Sequence, residues 1–162
     1  MKGGVMAEEL DDLTDEMKAA VGVETSRAIY EVTTQGIRTF ARSVGYTDTK
    51  YYDEQTARDT GYSGLPSPPG FLGMPIFDPN SGGRRSEIFT NPFTRRLNGG
   101  TEVEPIEQVY GGDVLEAVTR ITSLELANGR LGQMLIQSNE TIYTRQSDNV
   151  IVAKTRGTGI SY

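Results

Sequence analysis

The last third of this 162-residue chain constrains its fold most. Val114 to Leu126 and Leu131 to Thr144 are rich in β-branched and aliphatic residues, and Asn128-Gly129 stands between them. That dipeptide tolerates positive φ and suits a two-residue hairpin turn. A second turn signal at Ser147-Asp148-Asn149 leads into Val150 to Ile160, and Thr101 to Val109 alternates through Val103, Ile106 and Val109 with one proline interruption. Strands joined by turns this short run antiparallel. A long antiparallel meander is therefore expected.

The earlier part reads differently. Glu8 to Ala20 is acidic, with Leu10, Leu13, Met17 and Val21 at helical spacing, after a loose leader. A clearer helix is expected over Thr33 to Val44, where Ile37, Phe40, Ala41 and Val44 form one apolar stripe and Gly45 takes the terminating position. Asp53 caps a short helix through Thr60 that Gly61 ends. Residues 63–70 hold three prolines and two glycines and read as a structured loop, Phe71 to Phe77 is compact and apolar, and 78–94 has no period and reads as a long loop or lid. Helices followed by an antiparallel meander make an α+β domain. A chain of this length buries roughly 70% of its unfolded surface, enough for one core.

What is missing narrows the chemistry. The sequence contains no His, Cys or Trp. It therefore supplies no Ser-His-Asp or Cys-His system, no CxxC redox pair and no zinc finger. Acid-base work near neutral pH falls to a carboxylate, Lys or Tyr with a displaced pKa. A net charge of −6 argues against nucleic acid and anionic lipid as partners. No apolar run reaches membrane-spanning length and no signal peptide is legible, so the expectation is a soluble cytoplasmic protein.

Several strings in this order resemble the N-terminal MaoC-like (FAS1-like) dehydratase domain of the hot-dog superfold. They are Thr14-Asp15-Glu16-Met17 with Val21-Gly22, Tyr30-Glu31-Val32 leading into Ile37-Arg38-Thr39-Phe40-Ala41, Pro68-Pro69-Gly70-Phe71, Leu97-Asn98-Gly99-Gly100-Thr101-Glu102, and Gly112-Asp113-Val114-Leu115. The resemblance runs from about Leu13 to the end. It implies a hot-dog fold in which a central hydrophobic helix is wrapped by a curved antiparallel β-sheet, with residues 1–12 a flexible leader and 13–162 one domain. Two such units make the working particle.

In catalytic members of the resembled family, a Gly-Asp-x-Asn-Pro-x-His-x-Asp string supplies an Asp and a His that hydrate an enoyl thioester or dehydrate the 3-hydroxy product. One group takes a proton while the other gives one. Here the string reads Gly45-Tyr46-Thr47-Asp48-Thr49-Lys50-Tyr51-Tyr52-Asp53, so Tyr46 and Tyr51 stand at the Asp and His positions. The resemblance thus implies the non-catalytic, substrate-tunnel half of an (R)-specific enoyl-CoA hydratase or 3-hydroxyacyl-thioester dehydratase, without catalytic residues of its own. It implies no separate cofactor, since the substrate carries coenzyme A or phosphopantetheine. The implied partners are an acyl-CoA or acyl-carrier thioester and a His-containing MaoC-like catalytic subunit, because one hot-dog fills 162 residues.

The resemblance places Tyr46, Tyr51, Gly70, Phe71, Gly73, Met74, Asn98 and Gly99 on the substrate path, and Arg84, Arg85, Arg95 and Arg96 against phosphates, which Arg suits. Each has a plainer reading. The tyrosines, with Tyr52, pack half-buried, Pro68 to Phe71 opens a buried helical turn, and Asn98-Gly99-Gly100 is a bulge. The arginines decorate a solvated loop. Two rival functions remain: an acyl-thioester-binding homodimer without chemistry, and a hot-dog thioesterase using Asp48 or Asp53. Those two aspartates otherwise serve as a turn residue and a helix cap.

Overall fold

The computed structural model describes residues 10–77, 88–130 and 132–162. Residues 78–87, the greater part of the expected lid and the site of Arg84 and Arg85, lie outside them.

Six antiparallel strands make one curled sheet in the order β2-β1-β4-β5-β6-β3. They are β1 (Glu24–Glu31), β2 (Met74–Pro75), β3 (Arg96–Pro105), β4 (Val114–Gly129), β5 (Gly132–Arg145) and β6 (Ile151–Ser161). This is the hot-dog architecture. The meander expected from the last third is present, with its first turn displaced. Pairing continues through Asn128 with Gln133 and Gly129 with Gly132, and the positive φ of 99° falls on Gly132. The connection therefore lies beyond Asn128-Gly129, because four more residues lengthen the ladder. The second turn falls where expected, with Asn149 at φ 59° and Asp148 Oδ1 accepting from the Val150 amide.

Strand β1 has no counterpart in the sequence reading. Its register with β4 places Tyr30 opposite Leu115 and Ala28 opposite Ala117. On that inward face Ser26 and Ala28 precede Tyr30, so the apolar alternation that signals a strand is weak.

The expected first helix is shorter. Helix α1 (Asp15–Ala20) starts late because Thr14 Oγ1 accepts from the Met17 amide and caps it there. Val21 lies beyond its end, 43% exposed, and does not extend the buried stripe. Within the expected leader, Leu10 exchanges two hydrogen bonds with the Gln133 side chain at 2.8 and 2.7 Å. Helix α2 (Thr34–Ser43) is capped by Thr33 and buries Ile37 and Ala41, whereas Phe40 is half-buried and Val44 exposed. Helix α3 (Glu54–Asp59) follows its Asp53 cap.

Two apolar clusters sit at opposite ends of the sheet. One gathers Ile37, Leu65, Phe71, Leu115, Ala117, Tyr143 and Val152 under α2. The other gathers Met17, Phe93, Ile121, Leu124 and Leu135 under α1. Fully burying one such aliphatic side chain stabilises by about 2 kcal/mol. Between the clusters the concave face is half-buried, since α2 spans ten residues and covers one end. Among the described residues no helix is long and apolar enough to cross a membrane.

Candidate functional site

The residues after α2 follow from how that helix stops. Gly45 takes φ 79°, its amide donates to Arg42 O and the Tyr46 amide to Ala41 O, the bonding of a Schellman end. The chain then turns back through a single 3-10 turn, Thr49–Tyr51, whose N-cap is Asp48. This reversal sets the Tyr46 and Tyr51 rings 5.7 Å apart with planes inclined by 31°. Lys50 Nζ lies 5.1 Å from the centre of the Tyr51 ring, 5.7 Å from that of Tyr62 and 3.0 Å from Asp48 Oδ2. Tyr52 Oη donates to the Tyr46 carbonyl, and Arg38 Nε donates to Tyr52 O at 2.9 Å.

The structure therefore brings Tyr46 and Tyr51 together, beside an ammonium. It does not prepare either aspartate for base chemistry. Asp48 accepts from the Lys50 amide, and that bond, followed by the Lys50 ammonium, holds its carboxyl below the usual range. Asp53 Oδ2 accepts from the Thr56 hydroxyl and amide, both at 2.7 Å, and these bonds lower its pKa in the same way. A general base working near neutrality needs the opposite displacement. Both residues act as caps, the plainer of the two readings.

The remaining expected residues do not share one surface. Phe71 is core, stacked on Phe40 at 5.2 Å, while Met74 is 61% exposed at the sheet edge. The stretch between them forms no helical turn. Gly73 presses on β1, and a Cβ there would stand 2.6 Å from Glu31 O. Gly70, at φ 88°, completes the turn before Phe71. Asn98 and Gly99 form a bulge in β3, where Asn98 Oδ1 accepts from the Gly100 amide at 3.0 Å. Arg95 exchanges backbone hydrogen bonds with Tyr162 and sets its guanidinium 6.0 Å from that ring. Arg96 begins β3 opposite Ser161. A recess of about 510 Å³ lies elsewhere, lined by Glu16, Ala19, Val23, Ile88 and Phe89 among others.

A family model described as FAS1-like, dehydratase domain region, matches residues 19–154. The chain belongs to this dehydratase family. It is 25% identical over 135 residues to a UPF0336 protein of Streptomyces griseus, covering 78% of this chain and 83% of that one. Among solved structures it is similar to the ChsH1-ChsH2 complex from Mycobacterium tuberculosis, with a TM-score of 0.67 and 16% identity over 91% of this chain and 87% of that one. The HadBC (3R-hydroxyacyl-ACP dehydratase) complex from the same organism matches with a TM-score of 0.64 and 20% identity, over 86% and 96% of the two chains.

In this FAS1-like dehydratase domain the concave face carries groups that the sequence reading missed. Thr119 and Thr141 pair through their hydroxyls at 2.8 Å, and Gln137 Nε2 donates to Asn139 Oδ1 at 2.9 Å. Tyr143 is within hydrogen-bonding reach of Thr155 and Tyr30, and burial, reinforced by Tyr30, pushes its phenol up to about 12. One signal was available. Along β5 every second residue reads Leu135, Gln137, Asn139, Thr141, Tyr143, apolar at the ends and polar between.

Proposed function

We propose that this chain is the non-catalytic subunit of an (R)-specific enoyl-thioester hydratase or 3-hydroxyacyl-thioester dehydratase, and that a His-containing hot-dog partner supplies the acid-base pair. The observation that carries the reading is the Tyr46-Tyr51 ring pair at the Asp and His positions, in a sequence without any histidine.

A partner is supported by the sheet edge. All ten residues of β3 are exposed, and among the described residues no strand pairs with its outer side. Leu97, Val103 and Ile106 add apolar area there, at 50%, 40% and 44% exposure. A long open edge of this kind is suited to pairing with another strand. The similar solved structures named above are complexes of two different chains. The substrate would arrive as a thioester of coenzyme A or acyl carrier protein.

The test is reconstitution. The purified chain is expected to show no hydration of crotonyl-CoA, and activity is expected once a His-containing MaoC-like protein is co-expressed and co-elutes with it. Robust turnover by the chain alone would sink the assignment, and a stable self-dimer that ignores such partners would favour the thioester-binding homodimer. Release of free coenzyme A, lost in Asp48→Asn or Asp53→Asn, would favour the thioesterase.

A further inference from the structure

The bulge in β3 points to a covalent step within the chain itself. Asn98 is followed by Gly99 and Gly100, and Asn98 Oδ1 accepts from the Gly100 amide at 3.0 Å. This is an Asx turn, in which a side-chain oxygen closes a ring onto the backbone two residues on. The ring runs through Cγ, Cβ, Cα and the carbonyl carbon of Asn98 and the nitrogen of Gly99. The same five atoms make up a succinimide once the Gly99 nitrogen bonds to Asn98 Cγ. The turn therefore folds the side chain back over its own backbone, toward ring closure.

Three features favour that closure. The register passes from Asn98 opposite Gly159 to Gly100 opposite Thr158, so Gly99 is the extra residue of the bulge, with no cross-strand partner among the described residues. Gly99 has no side chain to shield its nitrogen, and every residue of β3 is exposed to the water that the reaction needs. The Gly100 N–H already donates to Oδ1, the atom on which negative charge develops when Cγ becomes tetrahedral. A buried donor so placed contributes about a hundredfold or more, and the high dielectric at an exposed strand reduces this to about tenfold. The same dipeptide at Asn128-Gly129 provides an internal comparison. There both residues lie within the ladder, Asn128 opposite Gln133 and Gly129 opposite Gly132, so ring closure has to break strand geometry first.

We propose that Asn98 is a site of self-modification, at which the bulge promotes conversion of the asparagine to aspartate and isoaspartate through a cyclic imide with Gly99. The Gly99 nitrogen gives its proton to hydroxide and bonds to Cγ, the Cγ–Nδ2 bond breaks, and Nδ2 leaves as ammonia with a proton from water. Water then opens the imide and restores the amide N–H, giving isoaspartate by attack at the backbone carbonyl and aspartate by attack at the side-chain carbonyl. The balance is one amide and one water giving one carboxylate and one ammonium ion. Either product adds negative charge to a strand that already carries Glu102 and Glu104, and isoaspartate also lengthens its backbone by a methylene. The step belongs to the chain alone and does not depend on the subunit reading above.

Timed incubation of the purified full chain in mildly alkaline buffer tests this, followed by cleavage after arginine and peptide mass spectrometry, because peptides 97–120 and 121–130 separate the two asparagines. In the folded chain Asn98 is expected to convert about tenfold faster than Asn128. Its products are expected to hold isoaspartate in excess over aspartate. In denaturing urea, where bulge and ladder are both gone, the two rates are expected to agree within about twofold. Equal or faster conversion of Asn128 in the folded chain, a ratio that unfolding leaves unchanged, aspartate without isoaspartate, or no conversion at Asn98 overturns the proposal.

Discussion

Tyr46 and Tyr51 stand ring to ring, 5.7 Å between centroids, because Gly45 reverses the chain and Asp48 caps the turn that follows. In the function proposed above, this aromatic contact takes the place of proton transfer at the two positions.

Removing only the hydroxyls separates packing from chemistry. Tyr46→Phe and Tyr51→Phe are expected to leave the turnover of a reconstituted complex within about twofold, whereas loss of a proton-transferring group costs about a hundredfold or more. Tyr51→Ala, which removes the ring, is expected to lower the unfolding temperature by a few degrees through lost aromatic contact. Steady-state kinetics and thermal unfolding on the three variants check both statements.

Asp53 ties helix α3 to acid stability. Its folded pKa is depressed below the ordinary value of 3.8 by the Thr56 hydroxyl and amide, so its contribution is present above that value. The contribution is lost as pH falls through the folded pKa. The unfolding temperature of Asp53→Ala is expected to lie a few degrees below that of the parent at about pH 7, with the gap narrowing as pH falls below 3.8. Asp53→Asn keeps an acceptor and is expected to retain much of the cap while flattening the pH dependence. Thermal melts across this range decide it.

Gly45 and Gly73 both have positive φ, at 79° and 89°, but for different surroundings. A Cβ at Gly45 meets nothing within 4 Å, so Gly45→Ala is expected to cost only the left-handed strain of about 1 kcal/mol. A Cβ at Gly73 would meet the Glu31 carbonyl carbon at 2.9 Å and its oxygen at 2.6 Å. Gly73→Ala is therefore expected to cost about twice as much or more, with faster amide exchange where β2 pairs with β1. Equal costs for the two substitutions would contradict this geometry.

The elements legible beforehand are those whose signals are local. Gly45 and Asp53 act through their own backbone neighbourhoods, and both end or cap helices where the pattern placed them. What was hidden depends on distant partners. Strand β1 is a strand because Ala28 and Tyr30 meet Ala117 and Leu115, nearly ninety positions away, and Ser26 and Ala28 do not advertise it. The same holds for the site. Tyr46 and Tyr51 were found from spacing, whereas Thr119 and Thr141 become neighbours only when β4 pairs with β5. Phe71 illustrates the reverse error, since a Pro-Pro-Gly-Phe string on the expected substrate path places its ring against Phe40 in the core.

Tyr143 makes the sheet sensitive to alkali. Its side chain is 9% exposed, and burial raises its phenol from the ordinary 10.0 to about 12. A raised pKa means that the folded chain holds this proton more tightly than the unfolded one. The resulting stability is full below pH 10.0 and is lost as pH rises toward about 12. In an absorbance titration of the eight tyrosines, one is expected to ionise late, and Tyr143→Phe is expected to remove that late step. The variant should also soften the fall in unfolding temperature across the same window, because the unfolded state no longer gains by ionising this residue. Its Phe ring keeps the edge contact with Tyr30, at 5.5 Å and 78° in the parent, so the packing cost near neutral pH should be small beside the alkaline effect. An unchanged titration in Tyr143→Phe would mean that another tyrosine is the shielded one.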